Sequence, residues 1–239
     1  MLKVRSLSVL RRAEEELVNI NLEVARGECL VVVGPNSSGK SLLVRTIATA
    51  ESDYSGDIMI NHYHAKTESA KAQLHLGYLS SNLVPEPHLT GLEYLEMVGA
   101  FYGLSPKIRL ERILILAERF ACKDYLYTLN ERLGKAFHQR IGIIASLLHQ
   151  PDVLIWDEPI VFLDESARVA AITLLQEHLK RGGTVLVSTN DLELAELIGD
   201  QILIMQEGQV VAQGTLNQLC NQFKPEHKSL RDIYHHLFP

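Results

Sequence analysis

Cysteine is scarce in this chain of 239 residues: only Cys29, Cys122 and Cys220 occur, odd in number and far apart. They form neither a disulfide framework nor a zinc-binding spacing, which points to a reducing compartment. Long apolar runs are missing as well. No stretch approaches the ~20 residues that cross a bilayer. Direct membrane insertion is therefore not expected, and any membrane role must pass through a partner. The opening Met1-Leu2-Lys3-Val4-Arg5 lacks the apolar core of a secretory signal. A basic excess is absent too. The formal net charge of −6 argues against a nucleic-acid-binding surface, so no nucleic-acid partner is expected. No repeat or low-complexity tract stands out. What remains is 46% hydrophobic and 22% charged, an ordinary globular mixture. That length suits one large domain, or one domain carrying an inserted subdomain.

The most informative stretch is Gly34-Pro35-Asn36-Ser37-Ser38-Gly39-Lys40-Ser41. It fits G-x-x-x-x-G-K-[ST], the phosphate-binding P-loop. Residues 29–33 before it read as a buried strand, and residues 41–50 after it as a helix. Strand, glycine-rich turn, helix is the context that the chemistry requires. The glycines let backbone N–H groups approach a phosphate chain, and the helix N-terminus adds a favourable dipole. Lys40 should reach the terminal phosphates, the Ser41 hydroxyl should ligate magnesium, and Leu42 follows within the same binding segment. ATP and magnesium are the expected ligands.

The rest of the chain reads as strands over 2–7 and 17–24, joined by a charged turn over 11–16. A turn over 55–57 leads into a strand over 58–60, and a further strand covers 74–79. From about 89 to 150 apolar residues recur at three- and four-residue spacing, as in Leu92, Leu95, Val98 and Phe101, or Ile113, Leu116 and Phe120. Strand and helix then alternate: strand 153–156, helix 166–179, strand 184–188, helix 192–198. A hairpin over 201–205 and 209–212 and two short helices from 215 close the chain. The fold class is α/β, with a P-loop core interrupted by a helical insertion. The divisions are a core over 1–80 and 151–214, a helical subdomain over 81–150 and a helical tail over 215–239. A second chemical motif closes the strand before the acids: Val153-Leu154-Ile155-Trp156-Asp157-Glu158-Pro159. At the C-terminal edge of a parallel sheet such acids face the nucleotide crevice. Asp157 would orient magnesium, and Glu158 would polarise the water that attacks the γ-phosphate.

P-loop, helical block and apolar-Asp-Glu-Pro, in this order, resemble the nucleotide-binding subunit of ABC transporters over almost the whole chain. Leu163-Asp164 resembles the family's D-loop. Residues 133–140, running into 141–150, stand in the place of its signature motif and helix. Residues 186–191 stand at its switch-histidine loop. The closing Ser229-Leu230-Arg231-Asp232-Ile233-Tyr234 resembles the tail of the type-two exporter branch. The resemblance implies an ABC-type ATPase core with an antiparallel β subdomain and the inserted helical subdomain. It implies a second ATP-binding subunit, as homodimer or heterodimer, with two ATP molecules sandwiched head to tail. It also implies transmembrane permease subunits, and a place in the cytoplasm, peripheral on the inner face of the plasma membrane.

Several positions depart from that pattern. The signature is normally Leu-Ser-Gly-Gly-Gln, and here it is Leu133-Gly134-Lys135-Ala136-Phe137. The serine hydroxyl is lost at Gly134, and Lys135 brings bulk and charge. Two roles stay open for Lys135: charge neutralisation at a partner's γ-phosphate, or a solvent-facing lysine at an inactive signature. The switch histidine is Asn190, which can donate to a γ-phosphate but cannot take up a proton. The glutamine before the helical block falls at Ser81 or Ser80. The adenine-stacking aromatic falls at about Arg11, which can stack on a purine as a cation or stand in an exposed turn. Phe162 replaces a glycine before the D-loop. Two functions follow. One is a magnesium-dependent ATPase coupled to export, with Glu158 and Asn190 at the reacting phosphate. The other is a degenerate ATP-binding subunit that braces a competent partner.

Overall fold

Alternate residues of a β-strand face opposite ways, and in the central strands of this chain both sets are apolar. The computed structural model describes residues 1–11, 14–223 and 229–238, with the side chains of residues 11, 14 and 15 left out. In chain order the elements are β1 (Leu2–Arg11), β2 (Glu14–Val24), β3 (Cys29–Val33), α1 (Lys40–Ile47), β4 (Ser55–Ile60), β5 (Tyr63–His64), α2 (Ser69–Leu74) and β6 (Leu76–Leu79). Then come α3 (Gly91–Phe101), α4 (Pro106–Arg119), two 3-10 turns (Lys123–Tyr127 and Asn130–Arg132) and α5 (Lys135–Leu147). The chain closes with β7 (Val153–Asp157), α6 (Glu165–Lys180), β8 (Thr184–Ser188), α7 (Leu192–Ile198), β9 (Gln201–Gln206), β10 (Gln209–Gly214), α8 (Leu216–Phe223) and α9 (Leu230–Leu237).

β10, β9, β3, β8, β7 and β6 form one sheet in that order. All its neighbours run parallel except the β9–β10 hairpin. Every residue of β3, β7 and β8 is buried, as expected for parallel strands covered on both faces. Val31, Val33, Leu154, Trp156, Val185 and Val187 point into a core shared with α3 to α9. Leu30, Val32, Val153, Ile155 and Leu186 point the other way, onto α1 and the second sheet. That second sheet is antiparallel, ordered β2-β1-β4-β5. Trp156 is fully buried and donates from Nε1 to Ser146 Oγ at 3.0 Å, so its polar edge is satisfied while its rings pack.

Some local expectations are corrected. Arg11 and residues 14–16 belong to paired strands rather than to a turn, with Arg11 opposite Glu14; residues 12 and 13 lie outside the described residues. Residues 55–57 are likewise strand, because they pair along β1. Leu74 ends a helix, α2, and the strand starts only at Leu76. The helix after the P-loop stops at Ile47, and Thr49 turns to φ 62°. Phe101 shares the spacing of Leu95 and Val98 yet is 81% exposed, because α3 ends there.

Gly77 on β6 lies tightly against the backbone of α5. A Cβ there would lie 2.1 Å from the Ser146 carbonyl oxygen and 2.8 Å from Leu154 Cδ2. Gly77→Ala must push backbone away from backbone, an overpacking cost of about 1–3 kcal/mol. Thermal unfolding should show the midpoint lowered by roughly 2–10 °C. An unchanged midpoint would mean that α5 is not held against β6 as described.

Candidate functional site

Parallel strands deliver their C-terminal ends to one edge, and here four of them deliver polar residues. β3 opens into the P-loop, β6 into Ser80 and Ser81, β7 ends at Asp157 with Glu158 following it, and β8 leads into Thr189 and Asn190. The register explains the meeting: Asp157 lies beside Ser188, and Trp156 lies between Leu79 and Val187. The cleft at this edge has a volume of about 590 Å³, and its lining includes residues 36–42, Glu158 and Asn190.

The P-loop is preorganised for an anion. Gly39 sits at φ 97°, a left-handed conformation that glycine adopts without strain. It starts α1 without any side-chain cap, which leaves first-turn N–H groups free for a ligand. Lys40 is 7% exposed, and its Nζ donates to the carbonyl oxygens of Gly34 at 2.7 Å and Pro35 at 2.9 Å. Burial lowers its pKa, while the charges of Glu158 and Asp157 pull it back up. Ser38 is 3% exposed, and its Oγ has no hydrogen-bond partner among the described residues. A buried hydroxyl left unpaired is costly, and a phosphate oxygen would satisfy it.

The two acids differ in surroundings. Asp157 is buried and collects three hydroxyls: Ser41 Oγ at 3.2 Å, Ser81 Oγ at 2.7 Å, and Ser188 Oγ. Glu158 holds a left-handed φ of 50°, its N–H bonded to the Ser188 carbonyl at 2.9 Å. Such a conformation costs of order 1–3 kcal/mol in a residue with a Cβ and must be held by its surroundings. Thr189 Oγ1 donates to Glu158 Oε2 at 3.3 Å. From α5, Gln139 Nε2 donates to the carbonyls of Glu158 at 3.2 Å and Pro159 at 2.8 Å. Burial is the largest influence on the Glu158 carboxyl and raises its pKa, against the opposing pull of Thr189 and Lys40.

The residues read from sequence therefore gather, with exceptions. Residues 36–42, Glu158 and Asn190 line the cleft, and Ser41 meets Asp157 at its edge. Asn190 Nδ2 donates to Asn36 Oδ1 at 3.0 Å, which leans it over the P-loop. Of the two serines left open, Ser81 is the one that reaches Asp157. Arg11 lies in β1, its side chain outside the described residues. Lys135 opens α5 with its Nζ 5.1 Å above the Phe162 ring, and it does not line the cleft. Asp164 caps α6 through Ala167 N and pairs with Arg140. Sequence alone places Ser188 and Thr189 at the switch loop without a role for either, and singles out nothing at Gln139. It also misses Glu16, Glu207 and Gly208, which close the cleft's far side. Ser188 and Thr189 carried a usable signal, since Ser188 ends a buried strand and Thr189 follows it directly before Asn190. Gln139 carried none, because its partners are backbone atoms 19 and 20 positions away.

Magnesium fits this site. A hydroxyl and a carboxylate, Ser41 and Asp157, already face each other, and magnesium bound with a nucleotide takes most other ligands from phosphate and water. Among the described residues no three His, Cys, Asp or Glu side chains form a metal cage.

The family model for ABC transporter matches residues 17–161, a span from within β2 through the P-loop to just past Glu158. Among curated relatives, the daunorubicin resistance ATP-binding protein DrrA3 of Streptomyces coeruleorubidus is 31% identical over 206 residues, which are 86% of this chain and 65% of that protein. The ABC-type transporter ATP-binding protein EcsA of Bacillus subtilis is 29% identical over 98% of this chain and 95% of its own length. The probable multidrug ABC transporter ATP-binding protein YbhF of Escherichia coli is 30% identical, with this chain spanning only 35% of its length. A solved ATP-binding subunit of an ABC transporter superposes with a TM-score of 0.93 at 29% identity, covering both chains fully. The dimeric ATP-binding cassette MJ0796, bound to ADP and Pi, has the same fold, with a TM-score of 0.81 at 24% identity. With the P-loop, the paired acids and the surrounding sheet all inside or beside the matched span, this chain belongs to the ABC transporter family as one of its ATP-binding domains.

Proposed function

We propose that this chain binds magnesium ATP in the cleft at the C-terminal edge of the parallel sheet, hydrolyses it, and couples that cycle to a transmembrane permease for export. The observation that carries the reading is the meeting of Ser41 and Asp157, 3.2 Å apart, beside Glu158 and the P-loop. Lys40 and the N–H groups of residues 36–41 would hold the phosphates. Ser41 and Asp157 would hold magnesium, with Ser81 orienting the free oxygen of Asp157. When bound, magnesium neutralises charge on the phosphate oxygens. Glu158, with its backbone fixed by Gln139 and its carboxyl beside Thr189, would accept a proton from the attacking water. Asn190 would donate to the γ-phosphate from its place over Asn36. The export direction rests on relatives such as DrrA3, whose name ties it to daunorubicin resistance. The permease, a second ATP-binding subunit and a peripheral place on the inner membrane face rest on family membership.

Calorimetric titration with ATP tests the binding step. Affinity should be clearly higher with magnesium than with EDTA, and Asp157→Asn should remove most of that difference; equal affinity under both conditions would sink the assignment of Ser41 and Asp157. Asn190 gives a separate prediction. An imidazole can exchange a proton where an amide cannot, so Asn190→His should raise steady-state phosphate release by roughly tenfold or more. A rate unchanged or lowered would mean that position 190 does not reach the reacting phosphate.

A further inference from the structure

A second cleft opens at the opposite edge of the parallel sheet. Its volume is about 480 Å³, and it lies where Pro151 and Asp152 enter β7 and Gly182 and Gly183 precede β8. One wall is apolar, built from Ile115 and Leu116 of α4, Leu147 of α5 and Leu174 of α6. The rim carries four arginines, Arg26, Arg112, Arg119 and Arg181, against two carboxylates, Asp152 and Glu177. In a chain of net charge −6 this is a local reversal of sign.

The two carboxylates are already shared. Glu177 Oε2 takes Arg119 Nη1 at 2.8 Å and Arg181 Nη2 at 3.7 Å, so one negative charge serves two guanidinium groups. Asp152 Oδ2 takes His75 Nδ1 at 2.6 Å and Asn61 Nδ2 at 3.1 Å, and Arg26 reaches Oδ1 at only 3.6 Å. Each guanidinium has five N–H donors. Arg119 and Arg181 use few of theirs on Glu177. Arg112 is spoken for: it holds the Leu148 carbonyl at 2.6 Å and Gln150 Oε1 at 3.0 Å, which fixes α4 against the end of α5.

We propose that this cleft is a second ligand site, separate from the nucleotide cleft, and that it takes a small organic anion with an apolar body. The carboxylate or sulfonate head binds Arg119 and Arg181, and the body lies on Ile115, Leu116 and Leu174. Pockets for small molecules span about 300–1,000 Å³, and this cleft lies in that range, with the apolar wall of Ile115, Leu116, Leu147 and Leu174 facing a charged rim. A free phosphate would leave the apolar wall unused, and a neutral apolar molecule would leave the arginines unused. The occupant would bridge α4 and α6, which Arg119 and Glu177 already join.

Calorimetric titration of the whole chain with 1-naphthoate tests this. The expected result is one saturable site per chain, unaltered by saturating magnesium ATP. The neutral analogue 1-naphthylmethanol should bind roughly tenfold more weakly or worse. Ile115 is 53% exposed, so Ile115→Glu should fold normally while placing a negative charge beside the ligand. It should weaken naphthoate by roughly tenfold or more, and Arg119→Gln should do the same. The proposal is overturned if no saturable binding is seen, if ATP displaces the probe, if the neutral analogue binds equally well, or if Ile115→Glu binds like the parent.

Discussion

Replacing Lys40 with alanine should lower ATP affinity by roughly a hundredfold, with the fold retained. The magnitude follows from where the ammonium sits. Lys40 is 7% exposed and bonded to the carbonyls of Gly34 and Pro35, so it is already desolvated before a phosphate arrives. Hydrogen bonds between ionised groups are about twice as strong as neutral ones, and more so away from water. Removing the side chain also releases the loop, because its own carbonyls lose their donor. Lys40→Arg should not rescue binding, since a planar fork does not fit the space of a compact ammonium. Fluorescence titration with a labelled ATP analogue reads the effect. Affinity within a few fold of the parent would place the phosphates elsewhere. The fold should survive because α1 is anchored by Leu42, Leu43, Val44 and Ile47, all buried, and not by Lys40.

Glu158→Gln should leave ATP binding intact and lower phosphate release by about a hundredfold or more, equivalent to losing about 2.7–4 kcal/mol of transition-state stabilisation. The amide keeps the shape and the hydrogen bond from Thr189, but it cannot accept a proton. Gln139 and the Ser188 carbonyl hold the backbone at φ 50° in either case, so structure and rate separate cleanly. The same carboxyl predicts a pH dependence. Burial raises its pKa, so the base is active above that raised value and is lost as pH falls through it. The acid limb of the rate profile should therefore lie above the ordinary glutamate range and should vanish in Glu158→Gln. A limb that persists in the variant would assign the titration to another group.

The fold was legible where pattern and chemistry coincide. Buried parallel strands write continuous apolar runs, and β3, β7 and β8 did so. The P-loop and the Asp157-Glu158 pair were legible because each is contiguous in sequence. The boundaries of β1 and β2 were not, since polar residues there pair across a sheet that faces solvent on one side. Periodicity also failed at Phe101: spacing tells which face a residue shares, not whether the neighbouring element reaches that far along the helix. Within the site, what escaped were groups whose meaning comes only from the register. Ser188 is an ordinary hydroxyl in sequence, and it becomes a partner of Asp157 because β7 and β8 align those two positions. Gln139 acts on backbone oxygens, which no residue pattern announces.

Steady-state phosphate release by the purified parent chain, with ATP binding confirmed in the same preparation, separates hydrolysis from mere holding of ATP. Hydrolysis at this site predicts magnesium-dependent turnover above background that Glu158→Gln removes. Tight ATP binding without any Glu158-dependent release would contradict it and would make the chain an ATP-holding subunit whose chemistry belongs to a partner.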